Sequence, residues 1–143
     1  MTGDRRLVAW GDELIKLHDG FRRDLAALRA GLRGPGGGEL RTHCLAFCDA
    51  LHAHHEGEDA TLFPHLAAGH PDLAEVLRRL GAEHRVVARL LERVRRLLDE
   101  EGAGEGVADE VERLTRELEA HLDYEEEHLV PVLNRMTALP DGV

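Results

Sequence analysis

The sequence predicts an all-α protein, an up-down-up-down four-helix bundle. Four stretches, each about 30 residues long, repeat apolar residues every three to four positions. The hydrophobic share is 43%, mostly Leu, Ala and Val, with none of the alternation of a strand. Segments rich in Gly or Pro separate the stretches at Gly31 to Gly38, Ala68 to Pro71 and Gly102 to Gly106. Loops this short make successive helices antiparallel neighbours.

The first seam runs through Leu7, Leu14, His18, Phe21, Leu25, Leu28 and Leu32, with Gly11 filling a gap. The second holds Leu40, Cys44, Phe47, Leu51, His54, Glu58, Thr61 and His65. Leu73, Leu77, Leu80, His84, Val87, Leu91, Val94 and Leu98 form the third, which starts soundly at Pro71-Asp72. The fourth is Val107, Val111, Leu114, Leu118, His121, Glu125, His128 and Val132. Pro64 and Pro131 fall late in the second and fourth helices, where a bend or an early end is expected. The bundle is expected to span residues 4–135, with 136–143 as a tail.

One domain is the expectation for 143 residues, and that length can bury a core. Acids outnumber bases 28 to 18, for a net charge of −10. This disfavours nucleic acid and anionic membranes as partners. An aromatic share of 3% is thin for a stacking platform. No apolar run approaches the ~20 residues of a membrane span, and the N-terminus leads into no signal segment, so the expected location is the cytoplasm. Cys44 and Cys48 cannot make a disulfide framework. They are expected to pack inside one face of the second helix, with a redox role as the alternative.

Every seam carries a histidine near its middle, and two carry a glutamate one turn later. Such groups are costly in a core unless something satisfies them. One buried histidine can simply hydrogen-bond a neighbour; four histidines and two carboxylates need a shared explanation. His54 with Glu58 and His121 with Glu125 are four apart, so each pair shares a helix face. His18, His54, His84 and His121 lie at matching depths, roughly 21–24 Å from the end that holds the first and third loops. The chain also repeats itself. His18 to His84 is a shift of 66, while His54 to His121, Glu58 to Glu125 and Pro64 to Pro131 are shifts of 67. Two hairpins of similar design thus build one pseudo-symmetric site.

Four imidazoles and two carboxylates suit a pair of borderline ions, most naturally two non-haem iron ions. The carboxylates can bridge both ions, which offsets their mutual repulsion. Room remains for an oxo or hydroxo bridge and one open position, whereas structural zinc is closed and four-coordinate. An open position suits O₂, H₂O₂ or NO.

The segment His54-His55-Glu56-Gly57-Glu58-Asp59-Ala60-Thr61-Leu62-Phe63-Pro64 resembles the H-x-x-x-E-E-x-x-L-F-P signature of the hemerythrin-like, or HHE cation-binding, domains. Asp59 stands in for the second Glu. His121 to Pro131 resembles a second copy, with Val130 in place of Phe. The resemblance covers about Leu7 to Val132. It implies a four-helix bundle with a non-haem di-iron centre whose ligands are His18, His54, Glu58, His84, His121 and Glu125. Oxygen-carrying members have a further histidine one turn after the ligand of the third helix. That position is Ala88 here, so the chain resembles the four-histidine branch, which includes repair proteins and sensors. The expected function is binding or reduction of O₂, peroxide or NO at a carboxylate-bridged iron pair, with the redox partner unknown. The alternative is an iron- or oxygen-sensing or iron-storage module without turnover. A di-iron peroxidase is one form the first reading can take.

Nearby residues compete for these roles. His55 and Asp59 have the same spacing as His54 and Glu58 but are rotated ~100° off the seam. They are expected as flanking residues or as partners of the ligands. His128 follows Glu125 at the spacing of ferritin-like sites, yet the other helices do not match that pattern. It stays open between a ligand and a satisfied polar residue. Tyr124 flanks the site, as a packing residue or a donor to bound dioxygen. Its repeat partner is Gly57, which makes room either for Tyr124 or for ligand entry. His65 is expected to be structural, and His43, His52 and His70 to face solvent.

Overall fold

Residues 9–33, 38–101 and 105–136 are described by a computed structural model. The expected start of the domain, residues 4–8 with Leu7 among them, and residues 137–143 of the expected tail lie outside the described residues. The first helix, α1 (Trp10–Arg33), carries Asp12 and Glu13 in its first turn, where carboxylates favour the dipole. The second rod comprises α2 (Gly38–Gly57), a π-helical turn (Glu58–Leu62) and α3 (Phe63–Gly69). Its backbone stays helical through both junctions, at Gly57 and at Leu62-Phe63. His70 then leaves helical geometry (φ −138°, ψ 76°) while its N–H still bonds the Leu66 carbonyl. A 3₁₀ turn (Pro71–Leu73) leads into α4 (Ala74–Glu101), and α5 (Glu105–Asn134) completes the bundle.

Helix α1 packs against α2 and α5, and α4 packs against α2 and α5. The four rods therefore form a square of antiparallel neighbours. The seams are its core, in two apolar clusters. One is built on residues such as Phe21, Leu25, Phe47, Leu51, Val94, Leu114 and Leu122. The other gathers Leu14, Leu62, Phe63, Leu66, Leu77, Leu80, Leu129 and Leu133. Cys44 and Cys48 are buried as free thiols in the first, as their spacing predicts.

The second rod departs from its expected phase. Beyond Glu58 the inward residues are Leu62, Phe63 and Leu66, while Thr61 is half-buried and His65 is exposed. The π turn is the cause. The Phe63 N–H bonds the carbonyl of Glu58, five residues back, and the wider turn rotates the remainder of the rod. Pro64, which has no N–H to give, falls in the first turn of α3 just after it. Pro131 does not stop its helix at once, since α5 runs on to Asn134 and closes with 3₁₀-type bonds from Arg135 and Met136.

Gly11 is a close-approach position. A Cβ there would sit 2.6 Å from both the Val130 carbonyl oxygen and Asn134 Oδ1. The same junction is clasped by Asn134, which accepts from the Asp12 N–H at 3.1 Å and donates to Asp12 Oδ1 at 3.3 Å. Gly11→Ala is expected to force α1 from α5 and destabilise the fold by about 1–3 kcal/mol. Urea unfolding of the two proteins measures this, and an unchanged midpoint would refute the close contact.

Candidate metal centre

A polar layer separates the two apolar clusters. Each long helix delivers a buried histidine or carboxylate to it at the depth that its seam predicts. His18, Glu58, His84, His121 and Glu125 are all buried, and His54 is half-buried. The structure thus brings together all six residues singled out on the seams. It also brings in a seventh. His55 is buried, and its ligand atom lies with those of Glu58, His84 and His121 within 4.8 Å of one another. A second such group comprises His18, His54, Glu58 and Glu125.

The expectation that His55 only flanks the site is therefore corrected. In a square bundle the inward stripe is wider than a single row of residues. Two consecutive residues can straddle it, each facing a different neighbour. His54 faces α1, with its ring 5.6 Å from His18 and 5.5 Å from Phe21. His55 faces the opposite hairpin, stacked on His84 at 3.9 Å and 5.1 Å from His121. A sequence signal was available in the repeat. The shift of 67 maps His55 onto Leu122, which is fully buried in the core.

The two carboxylates lie between the histidine groups. Glu58 Oε1 is 3.2 Å from His84 Nε2, and its Oε2 is 3.3 Å from His54 Nε2. Glu125 Oε1 is 3.4 Å from His121 Nε2, and its Oε2 is 3.9 Å from His18 Nε2. Each carboxylate thus offers one oxygen to each side, the arrangement of a bridge. None of these contacts is a well-formed hydrogen bond. The Nε2 atoms of His18, His54, His55, His84 and His121, and all four oxygens of Glu58 and Glu125, are buried without a hydrogen-bond partner. Orphaned buried groups of this kind call for an explanation. Five imidazole nitrogens and four carboxylate oxygens converging in one layer are donor chemistry suited to metal cations.

The outer faces of three imidazoles are held by carboxylates. His18 Nδ1 meets Glu126 Oε2 at 2.8 Å, His84 Nδ1 meets Asp59 Oδ1 at 2.9 Å, and His121 Nδ1 meets Glu83 Oε1 at 2.8 Å. An ionised carboxylate only accepts, so Nδ1–H donates in each case. That leaves the Nε2 lone pair facing the layer, ready to bind a metal. Asp59 is thus a partner of the candidate ligand His84, one of the two roles its spacing allowed. Glu126 is the repeat partner of Asp59 and the second Glu of the repeated signature, whereas Glu83 had no motif to mark it. Arg22 in turn pairs with Glu126 at 2.9 Å.

Tyr124 and His128 are not in either ligand group. The Arg79 guanidinium lies 3.8 Å over the Tyr124 ring, and the His128 ring packs against it at 4.2 Å. His128 Nδ1 donates to the Tyr124 carbonyl oxygen at 2.9 Å, the satisfied-polar outcome. Among the remaining histidines, His43, His52 and His65 are exposed and His70 is half-buried.

The electrostatics follow from burial. Desolvation lowers His54 to about 4 and His84 to about 3, and it pushes His55 lower still, with the neighbouring imidazoles adding to the effect. Glu58 is raised well above the usual carboxylate range by burial and by the charge of Glu125. Burial also opposes ionisation of Glu125, but contacts with Glu58, His121 and His18 outweigh it and hold this carboxyl low. His121 is raised, because Glu125 and Glu83 overcome its desolvation. The metal-free layer thus favours one neutral carboxyl facing one carboxylate.

The family model of the hemerythrin HHE cation binding domain matches residues 12–133. No curated protein and no solved structure shows a significant match to the chain.

The pH dependence of the metal-free protein follows from these shifts. His54, His55 and His84 stay neutral when folded and take up protons on unfolding below the ordinary histidine pKa of ~6.5. Stability therefore declines as pH falls from ~6.5 toward the folded values. Glu58, His121 and Asp59 are shifted upward and oppose this. With three imidazoles outweighing them, metal-free protein is expected to be less stable at pH 5 than at pH 7 by roughly 1–3 kcal/mol. Denaturant titrations at the two pH values test the sign; equal or greater stability at pH 5 would contradict it.

Proposed function

The chain belongs to the hemerythrin HHE cation-binding family, and from that premise we propose that it holds two non-haem iron ions and binds or reduces O₂, peroxide or NO there. The observation that carries this reading is the set of nine orphaned ligand atoms, five nitrogens and four oxygens, facing each other in the core. In this reading His55, His84 and His121 would hold one ion and His18 and His54 the other, with Glu58 and Glu125 supplying carboxylate oxygens between them. Thiolates take no part, since neither cysteine belongs to a ligand group. Imidazole with carboxylate and no thiolate suits iron.

An iron pair, when bound, supplies redox-active Lewis-acid centres that accept small oxygen or nitrogen ligands. The protein's own contribution is positioning and exclusion. Glu126, Asp59 and Glu83 fix the Nδ1–H tautomers and add electron density to the imidazoles. Phe63 and His55 both stack on the His84 ring and hold its plane. The His18–His54 group has two histidines against three, and carboxylates would make up the rest of its donors. His54 is the one ligand residue not fully buried, so that side is the accessible one. Among the described residues no helix is long and apolar enough to cross a membrane. We place the protein in the reducing cytoplasm, where Cys44 and Cys48 remain thiols.

Metal analysis with optical spectra before and after O₂, H₂O₂ and NO tests this directly. Two irons per chain and ligand-dependent changes in the visible spectrum are expected. Stoichiometric zinc with no iron would refute it. Sustained peroxide turnover would separate an enzyme from a sensor or store. His55→Leu, which copies its repeat partner, is expected to weaken one of the two ions at least tenfold and to leave the other bound. Full retention of both ions in this variant would remove His55 from the ligand set.

A further inference from the structure

The pseudo-twofold symmetry of the bundle is broken in a second place, on the side of the two-histidine group. A cleft of about 570 Å³ opens between α1 and α2. Its walls are apolar, built on Trp10, Leu14, Leu17, Phe21 and Leu62, and its floor reaches His54, Gly57 and Glu58. The repeat shows why it exists. Shifts of 66 and 67 map Glu13, Leu17 and Gly57 onto Arg79, Glu83 and Tyr124. On that other side the space is taken by the Tyr124 ring under Arg79, with Arg79 bonded to Glu83 at 2.9 Å and Glu83 bonded to His121. Where one hairpin has a polar plug, the other has a leucine and a glycine, and the cleft is the space left over.

We propose that this cleft binds a small apolar organic molecule bearing a hydrogen-bond acceptor, and presents it to the open side of the metal layer. The volume lies within the ~300–1,000 Å³ of small-molecule sites and far exceeds what a diatomic ligand or peroxide needs. Leu17, on its wall, is 46% exposed and is the exposed large hydrophobic among the described residues. The indole N–H of Trp10 is buried without a hydrogen-bond partner, so the wall holds one unspent donor. A groove made for a helix or a second copy has no need to end on buried ligand atoms; a co-substrate or an organic hydroperoxide does. The purpose of the site rests on the proposed iron chemistry, but occupancy of the cleft does not.

Trp10 is the sole tryptophan of the chain, so its fluorescence reports the cleft alone. The test titrates cumyl alcohol, an unreactive aromatic alcohol, into the purified protein of measured metal content, with glycerol as the control. A saturable change in Trp10 emission with cumyl alcohol and none with glycerol is expected. Ala53→Phe, which fills the cleft from an exposed position on α2, is expected to weaken binding at least tenfold. Leu17→Glu, on the cleft wall, is expected to weaken it similarly, with iron content unchanged in both variants. No saturable change, or equal affinity in both variants, would overturn the proposal. So would sedimentation showing a dimer that Leu17→Glu dissociates, since the cleft would then be an interface between copies. Absence of iron with intact probe binding would instead defeat the iron reading and leave the cleft standing.

Discussion

The orphaned layer of five imidazoles and two carboxylates is the constraint around which the bundle is organised. An unsatisfied buried polar group typically costs about 1–3 kcal/mol, and nine of them would rival the whole stability of a domain this size. The layer is therefore tolerable only with protons shared between Glu58 and Glu125 or with cations between them. Its surroundings serve that requirement. Apolar clusters seal it on both sides along the bundle axis. Carboxylates on the flanks of the helices grip three of the imidazoles from outside. The low-dielectric interior makes each of these charge-assisted contacts stronger than it would be at the surface.

Duplication explains the layout, and its breaking explains the asymmetry of the two flanks. Two hairpins related by shifts of 66 and 67 contribute two repeat-related histidines and one carboxylate each, and the first adds His55. Three substitutions between the copies distinguish the sides. His55 against Leu122 adds a nitrogen to one group. Tyr124 against Gly57, and Glu83 against Leu17, close the flank of that same group and leave the other flank open. The side with three histidines is thus the plugged side, and the side with two has the half-buried His54 and the cleft.

Much of this was legible in the chain. Leu, Ala and Val at three-to-four spacing define the helices, because a helix must bury one stripe and only that spacing keeps it on one side. His18, His54, Glu58, His84, His121 and Glu125 stand out because polar residues on such a stripe are exceptional. His55 escaped because a seam drawn as one residue per turn is narrower than the stripe a square bundle buries. Thr61 and His65 fall out of phase for a different reason. The π turn after Glu58 breaks the constant 100° per residue that a regular helix keeps. Glu83 carried no signal, since an acidic residue on an outer flank looks like any solvated charge until its partner helix is in place.

By itself the sequence determined which residues lie on each helix, how deep each sits, and that polar groups from four helices meet in one layer. Periodicity and loop length are local properties, and they suffice for that. Only the tertiary structure decided how the seven residues divide into groups of three and two histidines around shared carboxylates. It alone decided which outer carboxylates grip which imidazoles, and that one flank is open while its counterpart is filled. Those outcomes depend on which side chains from different helices come within 3–4 Å, and rotation about each helix axis sets that distance. Hydrophobic spacing specifies that rotation only to within the width of the buried stripe.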